Sequence, residues 1–368
     1  MNNHDFSPLK SSAPGKSRRA FLQTAGLGAV AMSLPFPAFP DFLKNVPMGV
    51  VVHSYGARWN SKTDSQRYPP MTDAIQLMQH CASIGAGGVQ TVVNGWTTDF
   101  GKKARDIREK LGLYLEGSIG LPKTAADVAK FESEVIAAKE AGVSILRTVC
   151  LGTRRYESLH SMEEFRQYEK NSLAWVRLAE PVLRRHKMKL AVENHKDWMA
   201  PELVTFVKAI GSEWVGVTLD FGNSIALLED PMEVVETLAP YSFTTHVKDM
   251  GLLEYDKGFL LSEVPLGTGM LDLKKMVDIC RKYTPDIRFN LEMITRDPLE
   301  IPCLTDEYWT VFEGLPGTYL AKTLRMVREK KSSVPLPTVA GLSAEQRLEY
   351  EEQNNLACLR YSASNLEQ

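Results

Sequence analysis

Cysteine is scarce and never closely spaced. The 368-residue chain has five (Cys81, Cys150, Cys280, Cys303, Cys358), with no CxxC pair among them. This excludes a CxxC zinc knot and favours free, mostly core thiols over a disulfide frame. A basic surplus is also missing. Lys and Arg number 43 against 45 Asp and Glu, a formal net charge of −2, so no general field exists to hold a nucleic-acid backbone and no nucleic-acid partner is expected. No apolar run approaches the roughly 20 residues that cross a bilayer. Walker, GxGxxG and GxSxG motifs are absent, which leaves nucleotide, dinucleotide and serine-hydrolase readings without support. The remaining composition, 44% hydrophobic and 24% charged, is that of an ordinary globular chain.

Near the N-terminus, Ser17-Arg18-Arg19-Ala20-Phe21-Leu22 precedes a small-residue-rich apolar stretch from Ala25 to Phe36. This resembles a twin-arginine export signal. Residues 1–40 are therefore expected to be signal and linker, and the protein to be exported to the periplasm. The stretch is too short and too glycine-rich for a stable membrane span.

From Pro47 the chain alternates short apolar runs with helical spacing. Strands are expected at Met48–His53, Gly88–Val93, Leu113–Leu115 (ending in Glu116), Ser144–Val149, Lys189–Val192, Trp214–Leu219, Ser242–Thr245 and Ile287–Leu291. Helices are expected between them, notably Thr124–Ala141, Met162–His186, Pro201–Ile210 and Pro231–Leu238. Residues Met250–Pro265 read as a long loop and candidate lid, and Glu307–Glu329 as a closing helix. Eight such repeats predict one (β/α)8 TIM barrel over residues 45–330, followed by a tail (331–368) with a polar helix at Ser343–Leu359. That tail is expected to pack outside the barrel or to meet a second subunit in a homo-oligomer.

Four consecutive late strands end in ionisable residues: Glu193, Asp220, His246 and Glu292. At the C-terminal rim of a barrel they would converge, and three converging carboxylates repel one another unless a cation joins them. Oxygen ligands with a single nitrogen suit Mn²⁺, Mg²⁺ or Co²⁺, and zinc is compatible. Lys248 lies two residues beyond His246 and so shares its side of the strand. With Lys196, Arg147 and Arg296 it is a candidate for holding a carboxylate or phosphate, and its inward spacing makes Lys248 the foremost of the four. His53 and Glu116, at strand ends, are candidates for contact with substrate hydroxyls, and His195 for contact with the substrate or for supporting a ligand from behind.

The pieces AVENH, TLDFGN, THVKD and NLEM around those four residues resemble the xylose isomerase-like TIM-barrel superfamily, which includes sugar isomerases, ketose 3-epimerases, inosose dehydratases and endonuclease IV. The resemblance implies one divalent ion on Glu193, Asp220, His246 and Glu292, with Glu193 and Glu292 as the acid/base pair. Asn223 stands where the epimerase pattern carries a histidine, three residues after the aspartate. The implied substrate is a keto-sugar or sugar phosphate. The implied reaction is isomerisation or epimerisation through an enediolate, with decarboxylation of a keto-sugar acid as the alternative and a non-catalytic sugar-binding protein as a more distant one.

Overall fold

Parallel strands covered on both faces favour apolar runs, and the chain supplies several, such as Met48–Val52 and Leu190–Val192. The computed structural model describes residues 46–366; the expected export signal lies outside the described residues. Strands β1 (Val46–Val51), β2 (Ala86–Val92), β3 (Tyr114–Ser118), β4 (Ile145–Thr148), β5 (Lys189–Glu193), β6 (Val215–Asp220), β7 (Ser242–Val247) and β10 (Arg288–Leu291) form a closed parallel barrel in the order β1-β10-β7-β6-β5-β4-β3-β2. Every residue of β6 is buried, as expected of a strand between the barrel interior and a helix layer.

The surrounding helices are α1 (Ala74–Ser83), α2 (Thr98–Leu111), α3 (Val128–Glu140), α4 (Arg155–Ser158), α5 (Met162–His186), α6 (Ala200–Ile210), α7 (Pro231–Leu238) and α8 (Leu273–Tyr283). Local chemistry sets their ends. Asp73, Ser161 and Asp230 accept hydrogen bonds from first-turn amides, and Pro231 occupies the first turn of α7, where no amide proton is needed. Gly112 and Gly211 close α2 and α6 in the left-handed conformation that a glycine adopts without strain. The barrel floor is filled by Tyr114. Its ring lies where a β-carbon on Gly88 would come within 2.3 Å, and its hydroxyl donates to Asn290 Oδ1 at 3.0 Å.

Two stretches differ from expectation. The expected lid loop is a β-hairpin, β8 (Asp249–Tyr255) and β9 (Gly258–Val264), joined by β11 (Leu299–Ile301) into a three-stranded antiparallel sheet. Leu252, Phe259 and Leu261 of this sheet are buried with Ile225, Leu227 and Tyr308 in an apolar cluster apart from the main core. The expected closing helix is broken into α9 (Asp306–Trp309) and α10 (Gly317–Glu329), because Gly314 turns left-handed and Pro316 caps the second piece. Helix α11 (Ala344–Asn365) packs on β1 and β10, tying the tail to the barrel. No helix among the described residues is long and apolar enough to cross a membrane.

Candidate metal centre

Each late strand delivers one polar side chain as it ends. Glu193 and Asp220 are the last residues of β5 and β6, His246 is the penultimate residue of β7, and Glu292 follows β10 directly. One donor atom from each lies within 4.8 Å of the other three, and all four side chains are buried. The structure therefore brings the four predicted ligands together.

Asn194 and an Asx turn set the position of Asp220. The Asn194 amide oxygen accepts from Asp220 N–H (2.7 Å), and its Nδ2 donates to the Asp220 carbonyl (2.9 Å). Asp220 Oδ1 accepts from the backbone N–H of Gly222 and Asn223, at 2.9 and 2.7 Å. That leaves Oδ2 directed at the cluster. It lies 2.8 Å from Lys248 Nζ but lacks a partner in hydrogen-bond geometry.

His246 is oriented from below. Glu116 Oε2 accepts from Gln90 Nε2 (3.1 Å), Thr244 Oγ1 (2.8 Å) and Asn290 Nδ2 (3.0 Å). The Gln90 amide oxygen is thereby turned toward His246 Nε2, 2.7 Å away. An amide oxygen only accepts, so Nε2 carries the proton and donates it. Nδ1 then faces the carboxylates at 3.5 Å (Glu193), 3.5 Å (Glu292) and 3.9 Å (Asp220), with no hydrogen-bond partner. A buried nitrogen aimed at three carboxylates, its opposite nitrogen fixed as a donor, is the arrangement of a metal-ligating imidazole. The donor set fits a hard or borderline divalent cation.

Fixed cations balance the carboxylates. Arg147 from β4 holds Glu193 Oε2 through Nε (2.5 Å) and also through Nη2, while Asn223 Nδ2 donates to Glu193 Oε1 (3.0 Å). Lys248 donates to Glu292 Oε2 (2.5 Å), and His53 Nδ1 lies 3.0 Å from Glu292 Oε1. Burial alone would raise both glutamates. Arg147 and His246 outweigh it at Glu193, as Lys248 and His246 do at Glu292, and both carboxyls lie well below their ordinary range. Asp220 is raised, by burial and by the two glutamates acting against Lys248. Burial opposes charge on His246, but Glu292 and Glu193 lift the imidazole to about 9, so a cation that binds Nδ1 must displace a proton held there between the carboxylates.

The remaining predicted residues divide in two. Asn223, Lys248 and His53 touch the cluster directly. Arg296 instead pairs with Glu263 of β9 (3.1 and 2.5 Å), joining the hairpin to the rim. His195 bonds the Leu151 carbonyl through Nδ1 (3.2 Å), and burial holds it down to about 3. Glu116 sits within β3, not at its end, and supports the imidazole from inside the barrel instead of facing its mouth. Its hydrogen-bonding partners Gln90, Thr244 and Asn290 were not singled out from sequence. For Gln90 and Asn290 the signal was a buried amide in a strand with apolar neighbours; Thr244 lies in a strand already rich in polar residues (SFTTHV) and carried none.

This is a TIM barrel with a buried cluster of three carboxylates and an imidazole at its C-terminal rim that could hold a metal ion. The chain belongs to the xylose isomerase-like TIM barrel family, whose model matches residues 78–311. It is 25% identical over 271 residues to the 3-oxo-isoapionate decarboxylase of Pectobacterium atrosepticum, a match covering 72% of this chain and 92% of the relative. Among solved structures it resembles D-psicose 3-epimerase of Clostridium cellulolyticum H10, determined with D-tagatose (TM-score 0.57, 13% identity, 87% of this chain and 99% of that one). It also resembles a xylose isomerase-like TIM barrel protein of Mycobacterium smegmatis in complex with magnesium (TM-score 0.53, 17% identity, 76% and 97%).

Proposed function

We propose that this chain is a divalent-metal-dependent enzyme that converts a keto-sugar or keto-sugar acid through an enediolate, as an isomerase or epimerase. The observation that carries this reading is the convergence of Glu193, Asp220, His246 and Glu292 within 4.8 Å of one another, flanked by buried Lys248 and Arg147. When bound there, a Mn²⁺-type ion polarises a substrate carbonyl and stabilises the negative charge that develops on it. The chain's own groups do the rest. Arg147 and Asn223 fix the Glu193 carboxylate, and Lys248 fixes that of Glu292.

Glu193 and Glu292 belong to β5 and the end of β10, which β6 and β7 separate in the barrel order, so they approach the ligand point from different sides. One takes the proton from the carbon next to the carbonyl, and a proton returned to the other face or the neighbouring carbon gives the epimer or isomer. His53 touches Glu292, and its side chain is 39% exposed, which connects that carboxylate to solvent for proton exchange.

A second reading, decarboxylation, draws on the likeness to 3-oxo-isoapionate decarboxylase over most of both chains. There the bond to a substrate carboxylate breaks, its electron pair enters the enediolate, CO₂ leaves and a proton returns to carbon. Incubating Mn²⁺-loaded protein in D₂O with a panel of ketoses and 3-oxo sugar acids tests both. Deuterium at the carbon next to the carbonyl is expected in either case, and CO₂ only in the second. No deuterium with any compound would contradict the enediolate. Export by the twin-arginine route belongs to the same proposal. Retention of an Arg18→Lys/Arg19→Lys variant in the cytoplasm, with wild type in the periplasm, would support it.

A further inference from the structure

Lys196 stands apart from the other cations of the rim. It is 5% exposed, and its ammonium has one hydrogen-bond acceptor among the described residues, the neutral amide oxygen of Asn223. The acids nearby are held by other cations: Asp220 lies 2.8 Å from Lys248, and Glu263 pairs with Arg296 at 2.5 Å. Lys248 touches the same Asn223 oxygen at 3.3 Å, so a second positive charge stands close by. Burial, together with the charges of Lys248 and Arg296, lowers the Lys196 amine to about 8.

The backbone is set to produce this placement. Lys196 has φ of 77°, a left-handed conformation that side-chain-bearing residues rarely adopt. Its carbonyl accepts from Arg155 N–H at 3.0 Å, and Asp197 Oδ1 accepts from the N–H of His195 (3.0 Å) and Trp198 (2.9 Å), which locks the turn. A strained turn that buries an ammonium without an anion in contact is costly to folding unless something else is gained.

We propose that Lys196 anchors an anionic group, carboxylate or phosphate, carried by the substrate beside the ligand cluster. This rests on the enediolate reading only for where the sugar lies, and it makes the substrate a sugar acid or sugar phosphate rather than a neutral ketose.

Binding, not turnover, tests it. Titration calorimetry on Mn²⁺-loaded full-length protein would use D-gluconate, D-glucitol 6-phosphate and the neutral D-glucitol. Wild type is expected to prefer one charged probe over glucitol. Lys196→Met is expected to lose about tenfold or more in affinity for that probe, the scale of a hydrogen bond to a charged group, with glucitol binding unchanged. Lys196→Arg, which keeps the charge, should retain the preference, and a matching melting temperature establishes that each variant is folded. The favoured probe identifies the group as carboxylate or phosphate. Wild type with no preference for either charged probe, or a preference that survives in Lys196→Met, would overturn the proposal. Absence of deuterium uptake from D₂O would instead fail the enediolate reading and leave this binding result standing.

Discussion

Asn355 of α11 donates a 2.7 Å hydrogen bond from its side-chain amide to the backbone carbonyl of Ser54, a residue of the turn that follows β1. Ser54 Oγ donates to the Leu291 carbonyl (2.9 Å) and accepts from Met293 N–H (2.9 Å), on either side of Glu292. The neighbouring His53 touches Glu292 itself. Helix α11 thus holds the turn that meets Glu292, one of the four residues of the cluster.

Asn355→Ala leaves the buried Ser54 carbonyl without its partner and should lower the unfolding free energy by about 1–3 kcal/mol. Denaturant titration measures this directly. An unchanged midpoint and slope would mean that α11 contributes little to the closure of the barrel mouth.

Glu193→Gln and Glu292→Gln should each lower turnover by about 10²-fold or more, the usual contribution of a positioned general acid or base. Circular dichroism should show the fold retained. Glu193→Gln should also lower the melting temperature, because Arg147 then remains buried with no anion in contact. Near-normal turnover in either variant would remove that residue from the acid/base role.

Gln90 fixes which nitrogen of His246 carries the proton, although it touches no ligand-directed atom. Gln90→Leu should therefore weaken Mn²⁺ affinity by about 10–100-fold, as removing a supporting partner of a metal-ligating histidine generally does. Competition against a chelating dye would read the change. Equal affinity would show that the imidazole needs no such support.

Stability should fall as pH rises from about 5 to about 8.5, through Glu229. This buried carboxyl accepts from Ala200 N–H at 2.9 Å, its other oxygen has no partner, and burial pushes it up to about 8. The folded state therefore binds its proton more tightly than the unfolded chain does. Its contribution is complete below the unfolded value and is lost as pH passes the folded one. Glu229→Gln, an uncharged shape match, should flatten the melting-temperature profile across that range by several degrees. A profile with the same slope in the variant would assign the dependence to other groups.

That Glu193, Asp220, His246 and Glu292 converge was legible in the sequence because each closes a short strand run abruptly, and a parallel barrel turns such ends toward one rim. The hairpin at 249–264 was not read, although Asp256-Lys257-Gly258 marks its turn. Its apolar residues pack on a secondary cluster with Ile225, Leu227 and Tyr308, a partnership set by distant loops and not by local periodicity. Glu116 was placed one layer too high because β3 runs on to Ser118, beyond the Leu115 end read from sequence. Gln90 carried only the signal of one amide in an apolar strand. Its meaning depends on Glu116 and His246, 26 and 156 residues away.

Counting bound ions in wild type and Asp220→Asn by electron paramagnetic resonance of Mn²⁺ tests the ligand cluster most directly. Asp220 points Oδ2 at the cluster, 2.8 Å from Lys248 Nζ, and is assigned no proton transfer, so its loss should affect the ion without removing an acid or base. One Mn²⁺ per chain in wild type and at least about tenfold weaker binding in the variant is the predicted result. Equal occupancy and an unchanged spectrum in the two proteins would place the ion elsewhere and contradict the assignment.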